Sequence, residues 1–176
     1  MLKTIAFILV ALIGAVLLYA ATKPDTFHVE RRIVIHAPSE KIFLLIEDFH
    51  HWNDWTPYNK DPNMTQTYSG NNSGKGASYA WQGNDDVGSG ALVITDAIPY
   101  REIILALHII DPFEAQNTVH FSLRAAGDVT EVTWSMDGAN PLINKLVGVF
   151  INMDSMLGKD FEAGLTKLKI LAEQAP

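Results

Sequence analysis

Glu114 and Asn117 are the polar pair whose setting invites a chemical reading. Asn117 falls on the apolar face of a run in which Ala115, Asn117, Val119, Phe121 and Leu123 alternate with Gln116, Thr118, His120 and Ser122. A buried amide needs a hydrogen-bond partner. That partner is either the head group of a ligand or the backbone of the neighbouring loop. Glu114 stands close by, in Asp111-Pro-Phe-Glu. It serves as a general acid or base only if burial raises its pKa, and nothing in the sequence shows that burial.

Other groups offer less chemistry. His50 and His51 are adjacent, so on a helix they point apart. No His-Glu-x-x-His spacing occurs. His108 shares a strand face with Ile104, Ala106 and Ile110, and His120 lies on a polar face. With no cysteine, disulfides, thiol chemistry and thiolate zinc sites are excluded. Ser73-Gly-Lys-Gly lacks the spacing, the following Ser or Thr and the following helix of a phosphate loop. No metal or cofactor site and no catalytic set are expected. Asp54, Asp85 and Asp86 read as solvated turn carboxylates. The aromatics are more suggestive: Trp52, Trp55, Trp81 and Trp134 either ring a cavity mouth or pack a core. Met136, Met153 and Met156 supply soft, adaptable surface.

Composition bounds the rest. A chain of 176 residues with 48% apolar and 19% charged residues holds about one domain with a sizeable core. Its net charge of −7 argues against nucleic acid, which needs a cationic surface. The same balance disfavours docking on anionic lipid through charge.

The elements that position these residues follow from hydrophobic period. Ile5 to Ala21 carries no charge and as a helix spans roughly 25 Å, close to the ~30 Å hydrocarbon core. A signal peptide has a similar pattern, but cuts after Ala20 or Ala21 put Leu18 or Tyr19 where a small residue is wanted. The segment therefore reads as an uncleaved anchor over 1–22, with a linker at 23–27 and one domain at 28–176. The N-terminus is expected in the cytoplasm and the domain outside a bacterial inner membrane, single-pass. Residues 28–36 alternate as a strand, and Pro38 opens a helix with Ile42, Phe43, Ile46 and Phe49 on one face. A short second helix is expected near Trp52. Strands follow near 64–69, 77–82, 88–97, 102–110, 115–123 and 130–136. Asn140 and Pro141 then begin a long apolar-faced helix to about 173. Unbroken it would run roughly 50 Å, so a bend near Gly158 is expected.

A long antiparallel sheet with one apolar face needs a cover, and the C-terminal helix is the only element long enough. The expected fold is α+β: a curved antiparallel sheet of about seven strands around that helix, preceded by one transmembrane helix. The space between sheet and helix would be lined by Tyr79, Trp81, Phe121, Trp134, Met136, Phe150 and Met153. Such a concave apolar space is a typical small-molecule site.

Several segments carry a family likeness. They are Ile35-His-Ala-Pro-Ser-Glu-Lys-Ile-Phe, Phe49-His-His-Trp-Asn-Asp-Trp-Thr-Pro-Tyr, Tyr79-Ala-Trp-Gln-Gly-Asn, Pro112-Phe-Glu-Ala-Gln-Asn-Thr, Val132-Thr-Trp-Ser-Met and the stretch from Asn152 to Leu165. From about 28 to 173 the chain resembles the START-like (SRPBCC) superfamily, in its polyketide cyclase/dehydrase and lipid transport branch. The resemblance implies a helix-grip fold with a cavity for hydrophobic ligands. It carries over no catalytic motif. Three functions stay open: a membrane-tethered carrier for a hydrophobic small molecule or lipid; a cyclase or dehydrase with Glu114 and Asn117 positioning a carbonyl substrate; or a partner or sensory module using the apolar faces of Ile103 to Ile110. The expected ligand-contacting set is Trp52, Trp55, Tyr79, Trp81, Glu114, Asn117, Phe121, Trp134, Met136, Phe150 and Met153.

Overall fold

The computed structural model describes residues 2–149 and 152–174. Helix α1 (Leu2–Ala21) comes first, then strand β1 (Thr26–Ile35). Helix α2 (Ser39–Glu47), a 3-10 turn (Phe49–His51) and the one-turn helix α3 (Trp52–Trp55) follow. Six strands come next: β2 (Thr65–Gly70), β3 (Ala77–Gln82), β4 (Ser89–Ile98), β5 (Glu102–Asp111), β6 (Ala115–Ala126) and β7 (Val129–Ala139). Helices α4 (Leu142–Val147) and α5 (Met153–Glu173) close the described chain.

All seven strands form one antiparallel sheet in the order β1-β7-β6-β5-β4-β3-β2. The two-residue period sorts the faces. Val119, Phe121 and Leu123 of β6 and Val132, Trp134 and Met136 of β7 are all buried, as are Ile103 and Leu105 of β5. Register shifts between β4 and β5 at Ser89/Gly90 and Ile94/Asp96 interrupt the ladder; such irregularities bend a sheet. The concave face closes on Phe161, Leu165 and Leu168 of α5 and on Ile42, Phe43 and Ile46 of α2.

The C-terminal helix breaks earlier than expected. The interruption falls between α4 and α5, and Gly158 lies inside α5. Gly148 ends α4, where its N–H donates to the Asn144 carbonyl. Asn152 then caps α5, its side chain accepting from the Ser155 N–H at 3.0 Å. Gly158 answers a different need: a Cβ there would stand 1.9 Å from Nη2 of Arg31. Arg31 reaches over from β1 and donates to both carboxylate oxygens of Asp154 at 3.0 Å and to Glu162 at 2.7 Å. The glycine makes room for the arginine that fastens α5 to the sheet edge.

The segment read as a linker is structured. β1 already includes Thr26 and Phe27. The Asn140 amide donates to the Pro24 carbonyl at 3.0 Å, the Asn140 N–H donates to the Asp25 carbonyl at 2.7 Å, and Lys145 Nζ lies 2.5 Å from Asp25 Oδ1. Helix α1 packs its C-terminal end on α4, with Ala20 fully buried. The rest of α1 stands free and apolar, from Ile5 to Tyr19.

Candidate functional site

A cavity of about 290 Å³ lies between the concave face and α5. The sheet provides Tyr79 and Trp81 from β3, Leu92 from β4, Leu107 and Ile109 from β5, Val119 from β6, and Trp134 and Met136 from β7. The opposite wall is Leu157 and Phe161 of α5. Trp52, Thr56, Tyr58 and Met64, on α3 and the loop behind it, close one side. Val87 and Pro112 also line it; Asn59, Lys60, Asp86 and Asp111 bring its charged and amide groups, and all four are exposed. They therefore mark the rim, and the deeper wall carries no carboxylate, amine or imidazole.

Local bonding fixes the aromatic walls. The indole N–H of Trp52 donates to the Ile46 carbonyl at 2.8 Å. That of Trp55 reaches the Leu45 carbonyl at 3.1 Å, and that of Trp81 the Val87 carbonyl at 3.3 Å. Trp134 is held by rings instead. Its N–H is buried with no acceptor among the described residues, while its indole stacks on Phe161 and meets Trp55 edge-on, with centroids 5.7 Å apart. Gly164 admits this stack, since a Cβ there would come within 2.7 Å of the Trp134 ring. The Tyr79 hydroxyl accepts from Gln66 at 3.3 Å. Burial pushes its pKa up to about 12, Tyr68 nearby adds to the rise, and the Gln66 bond opposes it. The phenol is therefore neutral at physiological pH.

The cavity brings together only part of the expected set. Trp52, Tyr79, Trp81, Trp134 and Met136 line it. Trp55 and Phe121, both fully buried, lie outside the lining, with their centroids 6.0 Å apart in the core. Met153 is half-buried near the start of α5 and outside the lining. Phe150 lies outside the described residues. Glu114 is placed away from the cavity: its side chain is 74% exposed and sits 3.2 Å from His108 Nε2 in solvent. The β5–β6 turn carries it past the end of the sheet into solvent. Asn117 is half-buried and outside the lining. Its Oδ1 lies over Gly138 of β7, in the space a Cβ would take; the amide is absorbed in sheet packing.

Sequence reasoning missed Tyr58, Leu107, Ile109, Val119 and Leu157 as lining residues. A signal existed for the β5 pair. Ile103, Leu105, Leu107 and Ile109 alternate as one face, and the two at the chain-terminal end of that run reach the cavity. Among the described residues no group of three His, Asp or Glu side chains is arranged to hold a metal ion. The arrangement can enclose an apolar molecule and gain about 25 cal/mol for each Å² of apolar surface removed from water.

A curved antiparallel sheet gripping a C-terminal helix over an apolar cavity defines the helix-grip class of ligand-binding folds. Residues 26–173 match the family described as "Polyketide cyclase / dehydrase and lipid transport", and the chain belongs to that family. No curated protein matches it. Among solved structures it is similar to the di-domain ARO/CYC BexL from the BE-7585A biosynthetic pathway, with TM-score 0.66 and 14% identity over 90% of this chain and 53% of that one. It is also similar to a protein from Chromobacterium violaceum, with TM-score 0.59 and 14% identity over 86% of this chain and 100% of the other. The Aha1 dimer from Colwellia psychrerythraea gives TM-score 0.56 and 19% identity over 84% and 96%. At these identities the likeness is one of fold.

Proposed function

We propose that this chain is a membrane-tethered domain that binds or carries a hydrophobic small molecule or lipid. The observation that carries the reading is the wall of the cavity, aromatic and aliphatic with its charged groups confined to the rim. At about 290 Å³ the space is at the small end of the ~300–1,000 Å³ range of ligand pockets, which suits a compact molecule or one segment of an acyl or isoprenoid chain. The family description, which includes lipid transport, agrees with this. The placement of Glu114 and Asn117 outside the lining gives no support to a carbonyl chemistry built on them.

The tether is α1. At about 1.5 Å per residue its 20 residues cover roughly 30 Å, the thickness of a bilayer core. The stretch Lys3–Ala21 has a mean hydropathy of 2.6. In this reading residues 1–22 form the anchor and 28–176 the ligand-binding domain. Lys3 stays in the cytoplasm and the domain stands outside a bacterial inner membrane.

The test is to purify the full chain in nanodiscs, extract it with organic solvent and identify the released molecules by mass spectrometry. An apolar compound recovered in stoichiometric amount, and lost in a variant with a filled cavity, is the expected result. An empty cavity, together with no change in tryptophan fluorescence across a panel of fatty acids, isoprenoids and phospholipids, would refute it.

A further inference from the structure

The cavity opens at one particular end of the sheet. Met64 precedes β2, Trp81 is near the end of β3, Asp86 and Val87 form the β3–β4 turn, and Asp111 ends β5. In the antiparallel register that end also holds the start of β1, since Thr26 pairs with Ala139, and the start of β6, since Asn117 pairs with Gly138. Helix α1 joins the domain there, and α4 leaves β7 there.

Large apolar side chains stand exposed at this same end. On α4 they are Leu142, Ile143 and Val147. At the end of β5 and on the β5–β6 turn they are Ile110 and Phe113, the latter 80% exposed beside the lining residues Asp111 and Pro112. Helix α1 packs directly on α4, and Lys23 lies 4.7 Å over the ring of Tyr19. An aromatic and a lysine at a helix end sit at the membrane–water interface, so α4 is held at that level. The apolar surface of the anchor thus runs on into that of α4.

We infer that this end of the domain rests on the lipid bilayer, with α4 lying in the interface and Phe113 inserted beside the cavity mouth. The inference rests on the membrane-tethered reading of α1. The occupant of the surface is the lipid itself, entered by apolar side chains. The charges at that end are mostly acidic: Lys23 and Lys60 stand with Asp25, Asp61, Asp85, Asp86, Asp111 and Glu114, and Lys145 is buried against Asp25. Attachment is therefore independent of anionic lipid, and zwitterionic bilayers suffice. Interfacial helices bury their apolar face about 5–10 Å into the headgroup boundary. At that depth the mouth faces acyl chains, and a ligand passes from bilayer to cavity without crossing bulk water.

The chain has no cysteine, so single labels can be placed without background. The full chain is reconstituted in phosphatidylcholine vesicles with an environment-sensitive fluorophore on Phe113→Cys, Ile143→Cys or Val147→Cys. Ile98→Cys and Ile170→Cys report on the far end of the domain, and Leu12→Cys on the anchor. Labels at 113, 143 and 147 are expected to be quenched by spin-labelled lipid about threefold or more above those at 98 and 170, and shielded from iodide. If 12 is lipid-quenched while 113, 143 and 147 respond to iodide like 98, the anchor holds and the docked face is overturned. If they are shielded from both quenchers, a protein covers the face and the inference is overturned. If 12 itself is untouched by lipid quencher, the tether fails and the inference falls with it.

Discussion

The indole of Trp134 on β7 lies flat on the ring of Phe161 on α5, with centroids 4.3 Å apart and planes 7° apart. This stack is a direct contact between the middle of the gripped helix and the sheet. Both rings are buried, and both also face the cavity. Stability and the shape of the binding wall therefore meet at one pair.

Truncating Phe161 tests the first role. Phe161→Ala removes a buried ring and leaves a void next to an existing one. It is expected to cost about 3–5 kcal/mol, read as a lower urea midpoint. Phe161→Leu is expected to retain much of that loss.

Filling the cavity tests the second role. Leu157 is half-buried on the helix wall and outside the fully enclosed core. Leu157→Trp is expected to weaken binding of an apolar probe about tenfold or more, with less than about 1.5 kcal/mol change in stability. Fluorescence titration gives the affinity and urea unfolding the stability.

The clamp of Arg31 on α5 sets a pH response. Hydrogen bonds from Arg31, helped by its charge, hold the Asp154 carboxyl below its ordinary value of 3.8 against an opposing desolvation. The unfolded chain therefore binds more protons than the folded one in this range, and stability rises with pH there. The contribution is complete above 3.8 and is lost as pH falls through the lower folded value. Both groups meet solvent, so the effect is small. Urea midpoints taken from pH 5 to pH 2 are expected to fall less steeply in Asp154→Asn than in the parent.

The joint between α1 and the domain gives a fourth outcome. Lys145 is 8% exposed and pairs with Asp25, whose carboxyl is held low first by the hydrogen bond from that ammonium. Lys145→Met, combined with Asn140→Ala, frees residues 22–25. Faster cleavage of that segment by proteinase K is expected, with the thermal midpoint of the domain nearly unchanged. Equal cleavage rates would show that these bonds do not order the segment.

Strands β6 and β7 were legible because each carries a two-residue period over a half-buried face, as in Val119, Phe121 and Leu123. The end of α4 at Val147 was not, because an apolar stripe in the sequence runs on from Leu146 to Met156 and hides the interruption. Gly158 drew the bend in its place, when its bareness serves Arg31 from a strand far away in sequence. In the cavity, alternation shows which side chains point inward but not how deep they lie. Phe121 and Trp134 share the concave face, yet only Trp134 reaches the open space. The difference is set by sheet curvature and by Trp52 and Trp55 arriving from α3. Glu114 attracted notice by its neighbours in the chain, and the reach of the β5–β6 turn placed it in water.

The bonds that tie Pro24 and Asp25 to Asn140 and Lys145 have a mechanical consequence. They remove the swivel that a free linker would supply, so the domain turns with α1. A spanning helix answers a thinner or thicker bilayer by tilting. In the membrane-tethered reading proposed above, a stiff joint would turn that tilt into a change in the angle at which the cavity mouth meets the lipid surface. Membrane thickness would then act as an input to ligand uptake, sensed without any dedicated regulatory site.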